Sequence, residues 1–415
     1  MKTTRFPMLL PSGWLIVIAL PSLLMIFSTA SSFSAGILLS SLLIMSIFFM
    51  HSVLHGQSSH AVHSMRNVHW LVGFLVFVMA HFYILNLTEF NFNLVDINRF
   101  ALSYITLIFV LVCALSIATT LRTVNDEYFH QSCMMISLLL LFNAFISLSK
   151  VDIFGTGLAK PTFIYLEPSH FALVAAPFIS YYCLTTTRVK SISVLFFVAA
   201  WAGYIQNFTM LLAALIAFVL STRRNLAVSL LALLLMASLL FIFIDEDSLS
   251  YFNDRLSFSS SSNNLSVLVL YQGWENAIKT LTQLSWLGGG FQQFGITTLT
   301  GEAGIKIHQL LGFDINQFDG GSTAPKIVGE FGFFGLMMIA VYLISIIVYF
   351  MRIRSRSIES KVELFASTVL ITSMLEFFVR GVGYFSPSLF MLAVSVFYLS
   401  DKIRIENIPR GNKAS

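Results

Sequence analysis

Apolar windows of helical length, separated by short polar connections, dominate the chain. Taking windows of about 17–25 residues as spanning helices places spans near 14–30, 33–50, 68–87, 100–119, 131–149, 168–185, 191–206, 208–221, 226–244, 326–350, 364–381 and 383–400. The pattern predicts an all-α integral membrane protein of about 12 transmembrane helices. It lacks the ten-residue alternation of a membrane β-barrel. Asn207 sits between two spans, and Gly381-Val382-Gly383 alone joins the last pair, which allows a re-entrant hairpin. The longest break in the apolar pattern runs from about Asp245 to Pro325, and a shorter one from Lys150 to Glu167. The expected organisation is therefore 1–244 (nine helices, with the loop at 150–167), 245–325 (a large loop), 326–400 (three helices) and 401–415 (a tail).

Basic residues orient this layout. One set of connections carries Lys2, Arg5, Arg66, Arg122, Arg188, Lys190, Arg223, Arg224, Arg352, Arg354, Arg356, Lys361 and the tail's Lys402, Arg404, Arg410 and Lys413. The short loops of the other set carry only Arg99, Lys150, Lys160 and Arg380. Sixteen against four predicts cytoplasmic termini and outward-facing loops at 150–167 and 245–325. Composition agrees: of 415 residues 57% are hydrophobic and 11% charged, and a net charge of +4 scattered between apolar runs gives no nucleic-acid footprint. Cys113, Cys133 and Cys183 lie inside apolar runs, which excludes a disulfide framework or CxxC site. Lys2 and Arg5 before an apolar run imitate a signal peptide, but the run is long for one.

Candidate chemistry gathers in the outward segments. The sequence Glu167-Pro168-Ser169-His170 puts a carboxylate and an imidazole at a predicted helix start; an acidic cap beside a satisfied histidine is the alternative. In the long loop, too long for a bare connector, Ser257–Asn264 is a flexible entry, and Leu265, Val269, Ala277, Ile278, Leu281 and Leu284 recur at near-helical spacing. That spacing predicts a lid with an amphipathic helix lying on the membrane. Asp254-Arg255 opens the loop, while Asp314, Asp319-Gly320-Gly321 and Lys326 close it. Glu330, Glu376 and Arg380 fall at or inside spans, where charge is expensive. Residues 376 and 380, one turn apart, can pair on one face, leaving Arg380 to hold an anionic headgroup with Glu376 orienting it, or forming only a structural bridge. His51, His55, His60 and His63 have metal-like spacing on the cytoplasmic side but no carboxylate or cysteine to complete a site, so no metal is expected.

Four segments, in order, resemble O-antigen and surface-polysaccharide polymerases of the Wzy type, relatives of the O-antigen ligases. They are Glu167-Pro-Ser-His-Phe-Ala172; Leu270-Tyr-Gln-Gly-Trp-Glu275 with Gly288-Gly-Gly-Phe-Gln-Gln-Phe-Gly295; Asp319-Gly-Gly321 with Gly329-Glu-Phe-Gly-Phe-Phe-Gly335; and Arg380-Gly-Val-Gly-Tyr384. The resemblance implies a GT-C-type architecture and a metal-independent, cofactor-free and inverting glycosyltransferase of lipopolysaccharide biosynthesis in the bacterial inner membrane. That enzyme would join undecaprenyl-diphosphate-linked oligosaccharides into a polymer at the periplasmic face, with a chain-length regulator as partner. It further implies Asp319, with Glu167 as rival, for positioning or deprotonating the acceptor hydroxyl, and Arg255, Arg380 and Lys326 for the diphosphate. His170, Tyr271, Gln272, Trp274, Glu275, Glu376 and Tyr384 would contact substrate.

Two other readings compete. An O-antigen ligase would carry a histidine where Asp319 stands. A transporter would show duplicated halves, and no fixed-period repeat is visible.

Overall fold

The computed structural model describes residues 9–28, 33–55, 61–88, 95–157, 160–222, 255, 259–260, 262–296 and 301–406. The first helices in chain order are α1 (Leu9–Phe27), α2 (Ser34–His55), α3 (Ala61–Thr88), α4 (Ile97–Leu121) and α5 (Asp126–Ser147). Next come α6 (Pro168–Thr185), α7 (Arg188–Tyr204), α8 (Phe208–Ser221), α9 (Leu265–Gln283) and α10 (Glu302–Leu311). The last are α11 (Thr323–Arg354), α12 (Lys361–Thr372), α13 (Met374–Phe378) and α14 (Pro387–Glu406).

Local chemistry sets many of the ends. Asp96, Asn125, Asn207, Asn264 and Ser360 accept from free backbone N–H groups in the first turns of α4, α5, α8, α9 and α12. Pro168 opens α6, where its missing N–H costs nothing. Glycine in the left-handed region ends α10 at Gly312.

Helix α6 forms the centre of the bundle. Every residue from His170 to Leu184 is buried, and α5, α7, α8 and α12 pack around it. Its neighbours lock by directed contacts as well as by apolar area: the Trp201 indole donates to Ser147 at 2.8 Å, and the Tyr165 hydroxyl donates to the Ile18 carbonyl at 3.1 Å. Outer helices show the complementary pattern. Phe333, Met337, Val341, Ile344, Val348 and Met351 form an exposed apolar stripe along α11 at spacings of three and four residues, the face that lipid would cover.

The expectation of about 12 transmembrane helices is overturned. Among the described residues, four helices are long and apolar enough to cross a membrane: Val68–Leu85, Ile97–Leu121, Asp126–Ser147 and Thr323–Arg354. Ser12–Phe27, Ser34–Met50, Phe208–Ser221 and Pro387–Ser400 are apolar but shorter. The window 226–244 lies outside the described residues, as do residues 1–8 and 245–254. The physical reason is that an apolar window reports removal from water without saying whether lipid or protein removes it. The window at 168–185 is apolar because α6 is core. The window at 364–381 is interrupted at Ser373 and ends as short α13, so it is two pieces rather than one span. What stands is a helical, multi-pass membrane protein.

Candidate functional site

The segments singled out in the sequence meet at one end of α11. Helix α9 forms where the amphipathic spacing placed it, but its apolar side is covered by protein: Val269, Gly273, Ala277 and Leu281 are buried, and α9 packs on α10 and α11. Gly273 permits the approach, since a Cβ there would collide with the Gly320 carbonyl. Beyond α9, the stretch from Trp286 to Gly290 runs into a break in α11. Gly332 has φ 57° and ψ −129°, and a Cβ on it would strike the Trp286 carbonyl. The broken turn is repaired from outside the helix. Gly289 N–H donates to Gly329, Gly290 N–H to Glu330, and Phe333 N–H to Trp286, each at 2.8 Å.

The turn at 380–384 closes this junction. Helix α13 stops at Phe378, and the Val379 and Arg380 N–H groups both donate to the Leu375 carbonyl. Gly381 N–H then donates to the Gly321 carbonyl at 2.9 Å. With the helix ended, residues 376 and 380 no longer share a face, and their expected pairing is not made. Glu376 is fully buried and accepts from the Ser388 hydroxyl at the start of α14. Arg380 reaches instead to Glu167, Nη2 to Oε2 at 3.0 Å.

Glu167 occupies the N-cap position of α6 without capping it. Its Oε2 accepts from the Ser169 hydroxyl at 2.9 Å and lies 3.7 Å from His170 Nε2. Burial works to raise the Glu167 carboxyl, but His170, the Arg380 guanidinium and the Ser169 hydrogen bond outweigh it and hold the group below the usual carboxylate range. His170 is buried edge-on against Phe33, ring centroids 4.8 Å apart, and its Nδ1 has no hydrogen-bond partner among the described residues.

A second ion pair lies on the other side of the turn. Lys326, only 1% exposed, donates to the Phe318 carbonyl at 2.9 Å and to Asp319 Oδ1 at 3.2 Å, with its ammonium 5.1 Å from the centre of the Tyr384 ring. Asp319 is 43% exposed, so the pair has one sealed member and one open to the outside. A Cβ on Gly383 would sit 3.2 Å from Asp319 Oδ1, which places the 380–384 turn directly against the carboxylate. Tyr384 stacks on Phe291 at 5.5 Å. One turn beyond Lys326, Glu330 is fully buried, and neither of its oxygens has a well-formed hydrogen-bond partner among the described residues.

The remaining candidates divide by what holds them. Glu275 caps a neighbouring helix, accepting from the Glu302 and Ala303 N–H groups at 2.8 and 3.2 Å, with Lys279 at 3.6 Å. Tyr271 packs with the cluster of Leu268, Val269, Ala303 and Ile307, and Trp274 packs against the main core. Gln272 is buried, and its side-chain oxygen accepts no hydrogen bond among the described residues. Arg255 donates to the Ser266 hydroxyl at 2.7 Å, at the start of α9. The side chains of His51, His55, His60 and His63 lie outside the described residues. Among the described residues no group of three or more His, Cys, Asp or Glu side chains gathers to hold a metal.

The sequence reading did not single out Lys160. Its ammonium donates to the Gln206 side chain at 2.9 Å. The signal was present as an exception: Arg99, Lys150, Lys160 and Arg380 are basic residues in the charge-poor connections. Each has a local reason, since Arg99 lies 4.6 Å over the Phe318 ring, Lys150 lies 4.2 Å over the Tyr204 ring, and Arg380 pairs with Glu167.

No protein-family model, curated protein or solved structure matches the chain. The resemblance to O-antigen polymerases required about twelve spans, and four helices of spanning character stand among the described residues. The polymerase assignment does not hold, nor does its tie to lipopolysaccharide assembly, and the same shortfall counts against the related ligase.

Proposed function

We propose that the chain is a membrane enzyme that transfers a glycosyl group from an undecaprenyl-diphosphate-linked donor to a hydroxyl acceptor, without a metal and with inversion. One observation carries this reading. Two ion pairs, Arg380 with Glu167 and Lys326 with Asp319, flank a single glycine-rich turn, and each offers a carboxylate that is more than two-fifths exposed. Such a transfer needs a cation where diphosphate charge develops and an acceptor for the hydroxyl proton.

Arg380 is suited to the first task because a guanidinium stays charged and matches phosphate oxygens in pairs. Asp319 is suited to the second. As the acceptor oxygen bonds to the anomeric carbon, the bond from that carbon to the diphosphate oxygen breaks; the diphosphate departs with the electron pair and Asp319 takes the proton. Buried Lys326 holds the Asp319 carboxylate in place. The proposed setting is the outer face of a bacterial inner membrane, with both termini cytoplasmic. In support, α11 runs from the site at Thr323 to the basic end at Arg352 and Arg354, and its unbroken part beyond Gly332 alone rises about 33 Å.

The test uses the full protein in lipid nanodiscs with an undecaprenyl-diphosphate-linked oligosaccharide, a sugar acceptor and excess EDTA. Release of undecaprenyl diphosphate, matched by glycosylated acceptor, is expected. Arg380→Gln and Asp319→Asn should each slow it by about 100-fold or more, the size of losing one transition-state contact. A wild-type protein that releases none, or variants that match it, would overturn the reading.

A further inference from the structure

A buried carboxyl outside both ion pairs sits at the root of the turn between them. Glu376 lies on short α13, just before Arg380, and is fully buried. Its Oε2 accepts from the hydroxyl of Ser388, 12 residues on, in the first turn of α14. The Ser388 oxygen lies 3.3 Å from that of Ser386, which accepts from the Leu389 N–H at 3.1 Å in the manner of a helix cap. The carboxyl therefore fastens the two ends of the 376–388 segment to each other. What the turn brings to the site hangs between those ends: Arg380 on Glu167, Gly381 N–H on the Gly321 carbonyl, and Gly383 against Asp319.

The surroundings of Glu376 suit a neutral carboxyl better than an ionised one. Among the described residues its Oε1 has no hydrogen-bond partner, and Arg380, the nearest cation along the chain, is turned to Glu167. From α11 comes Tyr342, which stacks on Phe377 at 4.2 Å and donates to the Leu370 carbonyl at 3.0 Å, while Lys326 is committed to Phe318 and Asp319. Helix α8 has no titratable side chain. Those of α12 and α14 lie at the ends remote from Glu376, at Lys361 and Glu363 and from Tyr398 onward. Burial pushes the Glu376 carboxyl up to about 7, and the serine hydroxyls offset only part of that.

We infer that Glu376 is a positioning residue, a pH-sensitive clasp that holds the 380–384 turn, and with it Arg380, in place while its carboxyl is neutral. Once ionised, the carboxylate gains more from water than from a single serine, so the clasp loosens and the turn lifts. A carboxyl raised in the closed turn, and back at its ordinary 4.5 once released, gives its full hold below 4.5 and loses it as pH climbs to about 7. The other groups that meet Arg380 titrate lower, since Glu167 is held below its ordinary value and burial lowers His170. The inference concerns how the turn is held and not what it acts on, so it stands apart from glycosyl transfer.

Hydrogen exchange resolved by mass spectrometry tests it on the full protein in lipid nanodiscs, with rates corrected for the intrinsic pH dependence of exchange and peptides of buried α6 as the internal reference. Gly381, whose N–H is bonded to the Gly321 carbonyl, reports the turn. Relative to α6, its exchange should rise about tenfold between about pH 6 and about pH 8.5 and level off beyond. Glu376→Gln still accepts from Ser388 but cannot ionise, and should abolish that rise. Ser388→Ala removes the donor, and should speed exchange at Gly381 already at the lower pH with α6 unchanged. Wild-type protection that is flat with pH overturns the clasp, as does a rise that persists in Glu376→Gln or is shared equally by α6. So does a Ser388→Ala protein that matches wild type, and this variant decides the matter even where Glu376→Gln does not fold.

Discussion

A single carboxylate, Glu167, joins the centre of the bundle to its outer turn, because it sits at the start of α6 and accepts from Arg380. Its lowered pKa fixes the sign of a pH effect. A carboxyl held below its ordinary value of 4.5 stabilises the fold above that value, and the contribution is lost as pH falls through the lowered one. Glu167→Gln should therefore melt earlier than wild type at neutral pH, by roughly 1 kcal/mol or less for a pair this exposed. The two melting curves should converge as pH drops below 4.5, and a gap constant with pH would show that the pair contributes nothing ionic. Lys326 lies at the other extreme. It is sealed, and removing its ammonium leaves the Phe318 carbonyl and the Asp319 carboxylate without the hydrogen bonds it donates. Lys326→Met should thus lower stability in thermal unfolding by about 1–3 kcal/mol, the scale of leaving an acceptor unpaired, and Asp319→Asn by less, since an amide oxygen still accepts from the ammonium.

At the scale of elements, the contact between α9 and the 319–322 turn depends on Gly273 having no side chain. Gly273→Val should force α9 off the turn. Hydrogen exchange at Gly320–Lys326 should rise while α4 and α5, which share no extensive packing with α9 among the described residues, stay protected; unchanged exchange at the turn would contradict the packing described. The spacing of Leu265 to Leu284 was enough to reveal α9, because its buried face follows helical periodicity. What covers that face was not legible, since amphipathicity looks the same against a membrane surface and against a protein groove. Arg380 likewise announced itself as a costly charge, but its partner is 213 residues away in sequence. The local partner Glu376 was excluded only by a helix ending at Phe378.

For the whole molecule, the sequence marked every apolar segment yet could not separate those facing lipid from those facing protein. Helix α6 shows why: a helix buried on all sides needs no hydrophilic stripe, and its composition approaches that of a span. The four polar segments were grouped only by their order in the resemblance, and the architecture taken from it was not the one adopted. Sidedness can be measured directly. Cys113, Cys133 and Cys183 are all buried, so single cysteines at exposed Phe313 and Ser357 report without background. The charge distribution predicts that Phe313→Cys reacts with an impermeant maleimide in intact spheroplasts and Ser357→Cys only after permeabilisation. Reaction of both from the outside, or the reverse order, would invert the orientation.

The break at Gly332 also bears on the order of biosynthesis. A helix entering a membrane with a fractured turn carries bare N–H and C=O groups into a medium that cannot hydrate them. Here the mending strand, Trp286 to Gly290, precedes α11 in the chain, so it has already left the ribosome when Phe333 is added. Synthesis delivers the splint before the fracture, and α11 need never cross the interface with its broken turn unprotected.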